Sequence, residues 1–149
     1  MRSALDEYLE RLKGKRVAVL GIGISNRPLI DLLCQAGIAV TACDKRDRDS
    51  FNGLIEKLEA NGVSCHLGPD YLDHLDGMDV IFRTPGLRPD LPQLERAKAA
   101  GAELTSEMEA FFSVCPCRIL AVTGSDGKTT TTTIIAGLLS ASGYRTYVG

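Results

Sequence analysis

The sequence predicts an α/β fold: one parallel sheet with helices on both faces. Short apolar runs suited to buried strands alternate with segments whose apolar residues recur at helical spacing. No hairpin turn joins neighbouring strands, so crossovers must link them and leave them parallel. Glycine-rich turns follow the strands at Leu20 and Thr123, which puts ligands at the carboxyl ends of the strands.

The elements justify this in order. Ser3 and Asp6 make a capping-box pattern ahead of Leu5, Tyr8, Leu9 and Leu12, which share one helical face. "RVAVLG" (16–21) is a nearly continuous apolar run, as a strand covered on both faces should be. Ile30, Leu33 and Cys34 mark a helix that stops at Gly37, and "IAVTACD" (38–44) is the second strand. Leu54, Ile55 and Leu58 mark a helix closed by Asn61-Gly62, with "VSCHLG" as the third strand. "MDVIFRTPG" (78–86) is the fourth, ended by Pro85-Gly86. Asp90 is expected to cap a helix carrying Leu94 and Ala97, which stops at Gly101. "AELT" is a fifth strand, and Ser106 with Glu109 repeats the capping box before Phe111 and Phe112.

Pro116 in "VCPCR" marks a joint, after which "RILAVTG" opens a new apolar strand. The expected organisation is therefore one whole Rossmann-like domain, 1–114, and the incomplete opening of a second α/β domain, 115–149. That opening holds a strand, a phosphate loop, a helix and one more strand at "RTYVG". So small a piece cannot cover both faces of its sheet, and it is expected to be loosely packed or to pair with another copy.

Composition narrows the classes. The 149 residues are 44% hydrophobic and 24% charged, as in an ordinary soluble globular protein. A net charge of −2 with no basic run argues against nucleic-acid binding. No apolar run reaches the length that spans a bilayer, and the charged N-terminus is unlike a signal peptide. The 5 cysteines are odd in number and scattered, which reads as reduced thiols in the cytoplasm. "CPC" (115–117) has neither redox nor zinc spacing.

The strongest chemical signal is "VTGSDGKTTTTT" (122–133). Gly124, Ser125, Asp126, Gly127, Lys128, Thr129 and Thr130 follow a strand and open a helix supported by Ile134, Ile135, Leu138 and Leu139. Glycines let the backbone turn its N–H groups toward anionic oxygens, and the helix N-terminus adds partial positive charge. Lys128, the expected catalytic residue, would reach the β- and γ-phosphates, and the Thr129 hydroxyl would hold Mg²⁺. The spacing is G-x-x-G-K-T. Val122 stands where the longer phosphate-loop pattern has glycine.

The first strand–helix turn, "LGIGISNRP" (20–28), resembles the dinucleotide fingerprint with Gly21 and Gly23 in place and Asn26 at the third glycine position. Gly23 and the amides of Ile24, Ser25 and Asn26 can hold a diphosphate, and the motif is equally compatible with a purely structural tight turn. Asp44 lies where a ribose-binding acid would, followed by Lys45 and Arg46. Thr84 and Gly86 are placed to line the same crevice. Weaker candidates are the acids of "PDYLDHLDGMD" with His74, read as a solvated turn, and His66, read as packing.

With both loops placed, the chain resembles the Mur ligases of peptidoglycan synthesis. "VAVLGIGISN", "DKR", "RTPGL", "SEMEAFF" and "VTGSDGKTTTTT" carry the resemblance along essentially the whole chain. The phosphate loop is shared with folylpolyglutamate synthases, whereas the first domain points within the family to addition of D-glutamate. Family members often have glycine where this chain has Asn26. The resemblance implies a cytoplasmic, ATP-dependent ligase joining D-glutamate to UDP-N-acetylmuramoyl-L-alanine through an acyl phosphate. Ile24, Ser25 and Asn26 would meet the diphosphate and Asp44, Lys45 and Arg46 the uridine. Thr84, Pro85 and Gly86 would line the same pocket, Gly124 to Thr130 would bind ATP, and Thr129 would hold Mg²⁺. The family's remaining metal ligands, its modified lysine and its C-terminal domain have no counterpart here. The chain is therefore expected to be the N-terminal part of a longer ligase, binding uridine nucleotide weakly without ligating.

Three alternatives stay open on the sequence. One is a non-catalytic nucleotide-binding module complete at this length, which a stable, protease-resistant 118–149 would favour. Another is a Mur-type ligase that adds a different amino acid. The third is an NAD(P)-linked oxidoreductase built on the first glycine turn, which leaves the phosphate loop unexplained.

Overall fold

Strand β1 (Val17–Leu20) is buried at every position, as a strand with layers on both faces must be. In the computed structural model, which describes residues 2–148, it is the centre of a five-stranded sheet of order β3-β2-β1-β4-β5. The others are β2 (Val40–Asp44), β3 (Ser64–Leu67), β4 (Val80–Arg83) and β5 (Glu103–Thr105), and every pairing is parallel. The α/β expectation holds.

Alternation along the strands divides the core in two. Val17, Val19, Val40, Ala42, Val80 and Phe82 face one layer. There they meet α1 (Ala4–Leu12), α2 (Asn26–Gln35), α3 (Leu54–Ala60) and α5 (Glu107–Val114) through residues such as Leu12, Ile30, Leu33, Ile55 and Ala110. Ala18, Leu20, Cys43 and Ile81 face the other layer, covered by Leu94 and Ala97 of α4 (Pro92–Ala99) and by Leu72 and Leu75. Those two leucines belong to the acid-rich stretch expected to be a solvated turn. Asp70, Asp73 and Asp76 are indeed exposed, but the buried leucines between them seal the sheet in place of a helix.

Local chemistry explains the ends. Ser3 Oγ accepts the Asp6 N–H at 3.1 Å while the Asp6 carboxylate accepts the Ser3 N–H at 2.9 Å, completing the capping box of α1. At α5 the Ser106 hydroxyl accepts the Glu109 N–H, but Glu109 returns to that hydroxyl and not to the backbone. Asp90 does not cap α4. It pairs with Arg88, leaving Leu91 as an extended N-cap before Pro92, whose missing N–H and fixed φ suit a helix start.

The chain divides into two compact units, residues 1–116 and 117–149. The second contains α6 (Lys128–Ala141), which opens after Gly127 and ends before Gly143 as its sequence suggests. The strand expected over 118–124 does not form, and residues 145–148 of "RTYVG" form none either; Gly149 lies outside the described residues. A strand exists through its ladder with a neighbour, and among the described residues this unit offers none. Its apolar side chains stay outside the core: no residue of α6 is buried, and Ile134 and Leu138 are more than half exposed.

Candidate functional site

Strand order reverses between β1 and β4, so the carboxyl ends of these neighbours diverge into a crevice. Gly21 ends β1 at φ +91°, in the left-handed region that favours glycine. Its N–H donates to the Cys43 carbonyl at 2.7 Å. A Cβ at Gly21 would sit 3.4 Å from Thr84 Cγ2, so the turn also lies close against the end of β4.

The third fingerprint position, Asn26, is buried. Its Nδ2 donates to the carbonyls of Leu20 at 3.1 Å and Gly21 at 2.9 Å. The side chain thus ties the start of α2 to the end of β1, a hydrogen-bonded substitute for glycine at this position. Its carboxamide turns into the protein, so Asn26 can serve an anion by its backbone alone. The first turn amide engaged by the helix is that of Arg27, to the Gly23 carbonyl.

Asp44, at the end of β2, also ties the turn to the sheet. Its carboxylate accepts the Ile22 N–H at 2.7 Å, the Arg46 N–H at 3.0 Å, and Arg46 Nε and Nη2 at 3.0 and 2.7 Å. Burial alone would raise its pKa; the hydrogen bonds from Arg46 and Ile22, with the Arg46 charge, outweigh this and hold it below the usual carboxylate value. Four donors reach this carboxylate, so it locks turn to strand while still lining the cavity. The Arg46 guanidinium it fixes lies over the Phe51 ring, 4.3 Å from the centroid.

These elements enclose a cavity of about 390 Å³. It gathers Gly23, Ile24, Ser25 and Asn26 from the first turn, Asp44, Lys45 and Arg46 from the end of β2, and Thr84 and Gly86 from the end of β4. Pro85 lines instead a smaller cavity of about 160 Å³, together with Arg83, Ser106, Glu107 and Met108. Ser25, Asn26 and Thr84 border both.

In the second unit, Gly124 and Gly127 take φ +154° and +74°. Lys128 Nζ donates to the carbonyls of Gly124 at 2.7 Å and Ser125 at 3.0 Å, placing the ammonium against the loop. The helix first engages the N–H of Thr131, to the Gly127 carbonyl, and Gly124 to Thr130 are exposed. A glycine-shaped loop, a helix start and an adjacent ammonium fit a phosphate chain.

The Mur ligase MurD-like N-terminal domain pattern matches residues 15–106, well over half of the chain and all of the first cavity. The chain belongs to the MurD-like Mur ligases. It is 52% identical over 149 residues to a UDP-N-acetylmuramoylalanine–D-glutamate ligase of Ruminiclostridium cellulolyticum, covering 100% of this chain and 32% of that protein. A ligase of the same name from Clostridium botulinum (strain Loch Maree / Type A3) is 51% identical with the same coverage. The chain thus spans about a third of the length of these curated relatives. Among solved structures, a murein peptide ligase from Psychrobacter arcticus superposes with a TM-score of 0.57 at 26% identity, over 87% of this chain and 27% of that one.

In this Mur ligase cavity the sequence pattern missed Leu20, Leu87 and Tyr71. The leucines adjoin predicted residues. Tyr71 comes from the segment after β3, where only the turn at Gly68 hints that the chain doubles back. Burial, then the Asp44 charge, raises the Tyr71 pKa from its ordinary value.

Proposed function

We propose that residues 1–114 form the uridine-nucleotide-binding domain of a ligase and that residues 115–149 begin its ATP-binding domain. That ligase adds D-glutamate to UDP-N-acetylmuramoyl-L-alanine. What supports this is agreement of relatives and cavity: proteins carrying that name align over the full chain at 50% identity or more, and the matched residues surround one crevice at the sheet's switch point.

In this reading the amides of residues 24–26 meet the diphosphate at the positive end of α2. Asp44, Lys45 and Arg46 border the uridine, Thr84 and Gly86 line the return side, and Pro85 faces the smaller neighbouring cavity. Gly124 to Thr130 hold the ATP phosphates, with the Thr129 hydroxyl toward Mg²⁺ and Lys128 supplying positive charge. ATP would supply the phosphoryl group that activates the substrate carboxylate as an acyl phosphate, leaving as ADP; the D-glutamate amine would then attack the acyl carbon, form the amide bond and expel phosphate. Ligation itself is assigned to the longer protein, in the cytoplasm, and the chain alone is expected to bind without ligating.

The test is an amide-shift titration of the chain with UDP, NADH and Mg-ATP in parallel, repeated with Lys45→Ala. UDP is expected to move residues 23–26, 44–46 and 84–87, with weaker binding in the variant. A response to NADH and none to UDP would overturn the assignment. Phosphate release dependent on UDP-N-acetylmuramoyl-L-alanine and D-glutamate would overturn the inactivity of the isolated chain.

A further inference from the structure

The cavity has one aromatic ring among its described lining residues, and no motif points to it: Tyr71. The chain reaches this residue by a turn that nothing in the α/β pattern requires. After β3, Gly68 adopts φ +92° and donates its N–H to the carbonyls of Asp44 at 3.0 Å and Arg46 at 3.2 Å. Tyr71 N–H then donates to the Gly68 carbonyl at 3.3 Å. Two backbone links therefore tie the Tyr71 segment to the strand end that carries Lys45 and Arg46. Behind it, Leu72 and Leu75 are buried against the sheet, and the Tyr71 ring itself is half-buried against that same cluster.

Apart from Leu20 and Leu87, the rest of the wall offers a flat group little apolar surface. Glycines, Ser25, Asn26 and Thr84 offer small or polar surfaces, Ile24 is 86% exposed, and Asp44 presents a carboxylate held by its donors. If the diphosphate lies at the start of α2, its nucleoside extends either toward β4 or toward β2. The β2 end alone pairs a guanidinium, fixed by Asp44 and Phe51, with an aromatic ring held by the Gly68 turn. Stacking on a ring whose position is already set costs little ordering entropy.

We propose that Tyr71 is the platform on which the nucleobase packs, beside the end of β2. This rests on the uridine-nucleotide reading of the cavity and adds a specificity residue to it.

The experiment compares UDP and inorganic pyrophosphate, titrated calorimetrically into the chain and its Tyr71→Phe, Tyr71→Leu and Tyr71→Ala variants. Phe keeps the ring and Leu keeps apolar bulk against Leu72, so loss of packing is separated from loss of stacking. Phe is expected to bind UDP within about threefold of the parent, while Leu and Ala weaken it about ten- to a hundredfold, the range for removing one base–aromatic stack. Pyrophosphate, which has no base, is expected to be indifferent to all three. UDP binding retained by the Leu variant would overturn the role of Tyr71 and leave the uridine assignment standing. So would equal loss of UDP and pyrophosphate, which marks a structural role. A parent chain that does not respond to UDP would overturn the assignment and this proposal together.

Discussion

Asp44 reaches back from the end of β2 to take the backbone N–H of Ile22 at 2.7 Å, so the glycine turn is pinned by a side chain 22 positions away. The same carboxylate orients Arg46, coupling the shape of the turn to the cation at the cavity's edge. Asp44→Asn keeps the volume but turns an amide NH₂ toward groups that are themselves donors. Hydrogen bonds to a buried charge contribute about 1.5–3 kcal/mol each way of counting, so the expected loss is about 2–3 kcal/mol in urea unfolding. Because the folded carboxyl titrates below its unfolded value, this contribution is present above the unfolded pKa of about 4 and fades as pH falls through the lower folded value. The stability gap between parent and variant should therefore narrow in strong acid. A gap that stays constant down to pH 2 would show that the charge is not what holds the turn.

Asn26 offers a second test of the turn's construction. Its Nδ2 serves two carbonyls at the end of β1, and Asn26→Ala leaves both without that donor. The expected cost is about 1–3 kcal/mol for buried acceptors left unsatisfied, read as a lower denaturation midpoint at unchanged slope. An unchanged midpoint would mean water or a shifted α2 replaces the amide.

How much of this the sequence could reveal depends on where each signal resides. Strand and helix order was legible because Val17–Leu20 or Ile30-Leu33 declare their periods locally. Glycines and basic residues of the cavity were legible because turns at strand ends carry fixed residue types. The position of Asp44 was legible because it is a property of the strand, whereas its bond to Ile22 is a tertiary fact. Tyr71 was illegible for the same reason, since it reaches the cavity through backbone bonds between Gly68 and the 44–46 segment. The strand expected over 118–124 failed differently. Its apolar pattern is real, but pattern supplies no neighbour for the ladder.

His66 and His74 stack with centroids 3.8 Å apart and planes 15° from parallel, linking β3 to the segment that bears Tyr71. Burial, then the nearby His74, lowers the His66 pKa from its usual value of 6.5. A base held neutral in the fold binds fewer protons there than when unfolded, so stability is full above about pH 6.5 and declines as pH falls through the lower folded value. The melting temperature should drop between pH 7 and 5, and His74→Gln should flatten that drop in part, by removing the smaller of the two causes that lower the His66 pKa. An identical slope in both proteins would show that His74 adds nothing to the pH response. The Asp44 effect lies at lower pH and does not confuse the comparison.

The two fingerprint glycines should separate under substitution. Gly21 sits at φ +91° and a Cβ there meets Thr84 Cγ2 at 3.4 Å, so Gly21→Ala must bear left-handed strain and push on the end of β4. Left-handed backbone costs a non-glycine residue roughly 1–2 kcal/mol, and the variant should lose at least that in unfolding free energy. Gly23 has no such constraint: a Cβ there meets nothing within 4 Å, and its φ lies outside the left-handed region. Gly23→Ala should therefore fold with parent stability, to within about 0.5 kcal/mol. Yet Gly23 lines the cavity beside the amides assigned to the diphosphate, where a methyl group would keep phosphate oxygens away from the backbone. UDP affinity should accordingly fall in Gly23→Ala without loss of stability. Paired denaturation and titration of the two variants reads both. Gly23→Ala binding UDP as tightly as the parent would remove the first turn from the ligand's path, and Gly21 would remain as the glycine the fold itself requires.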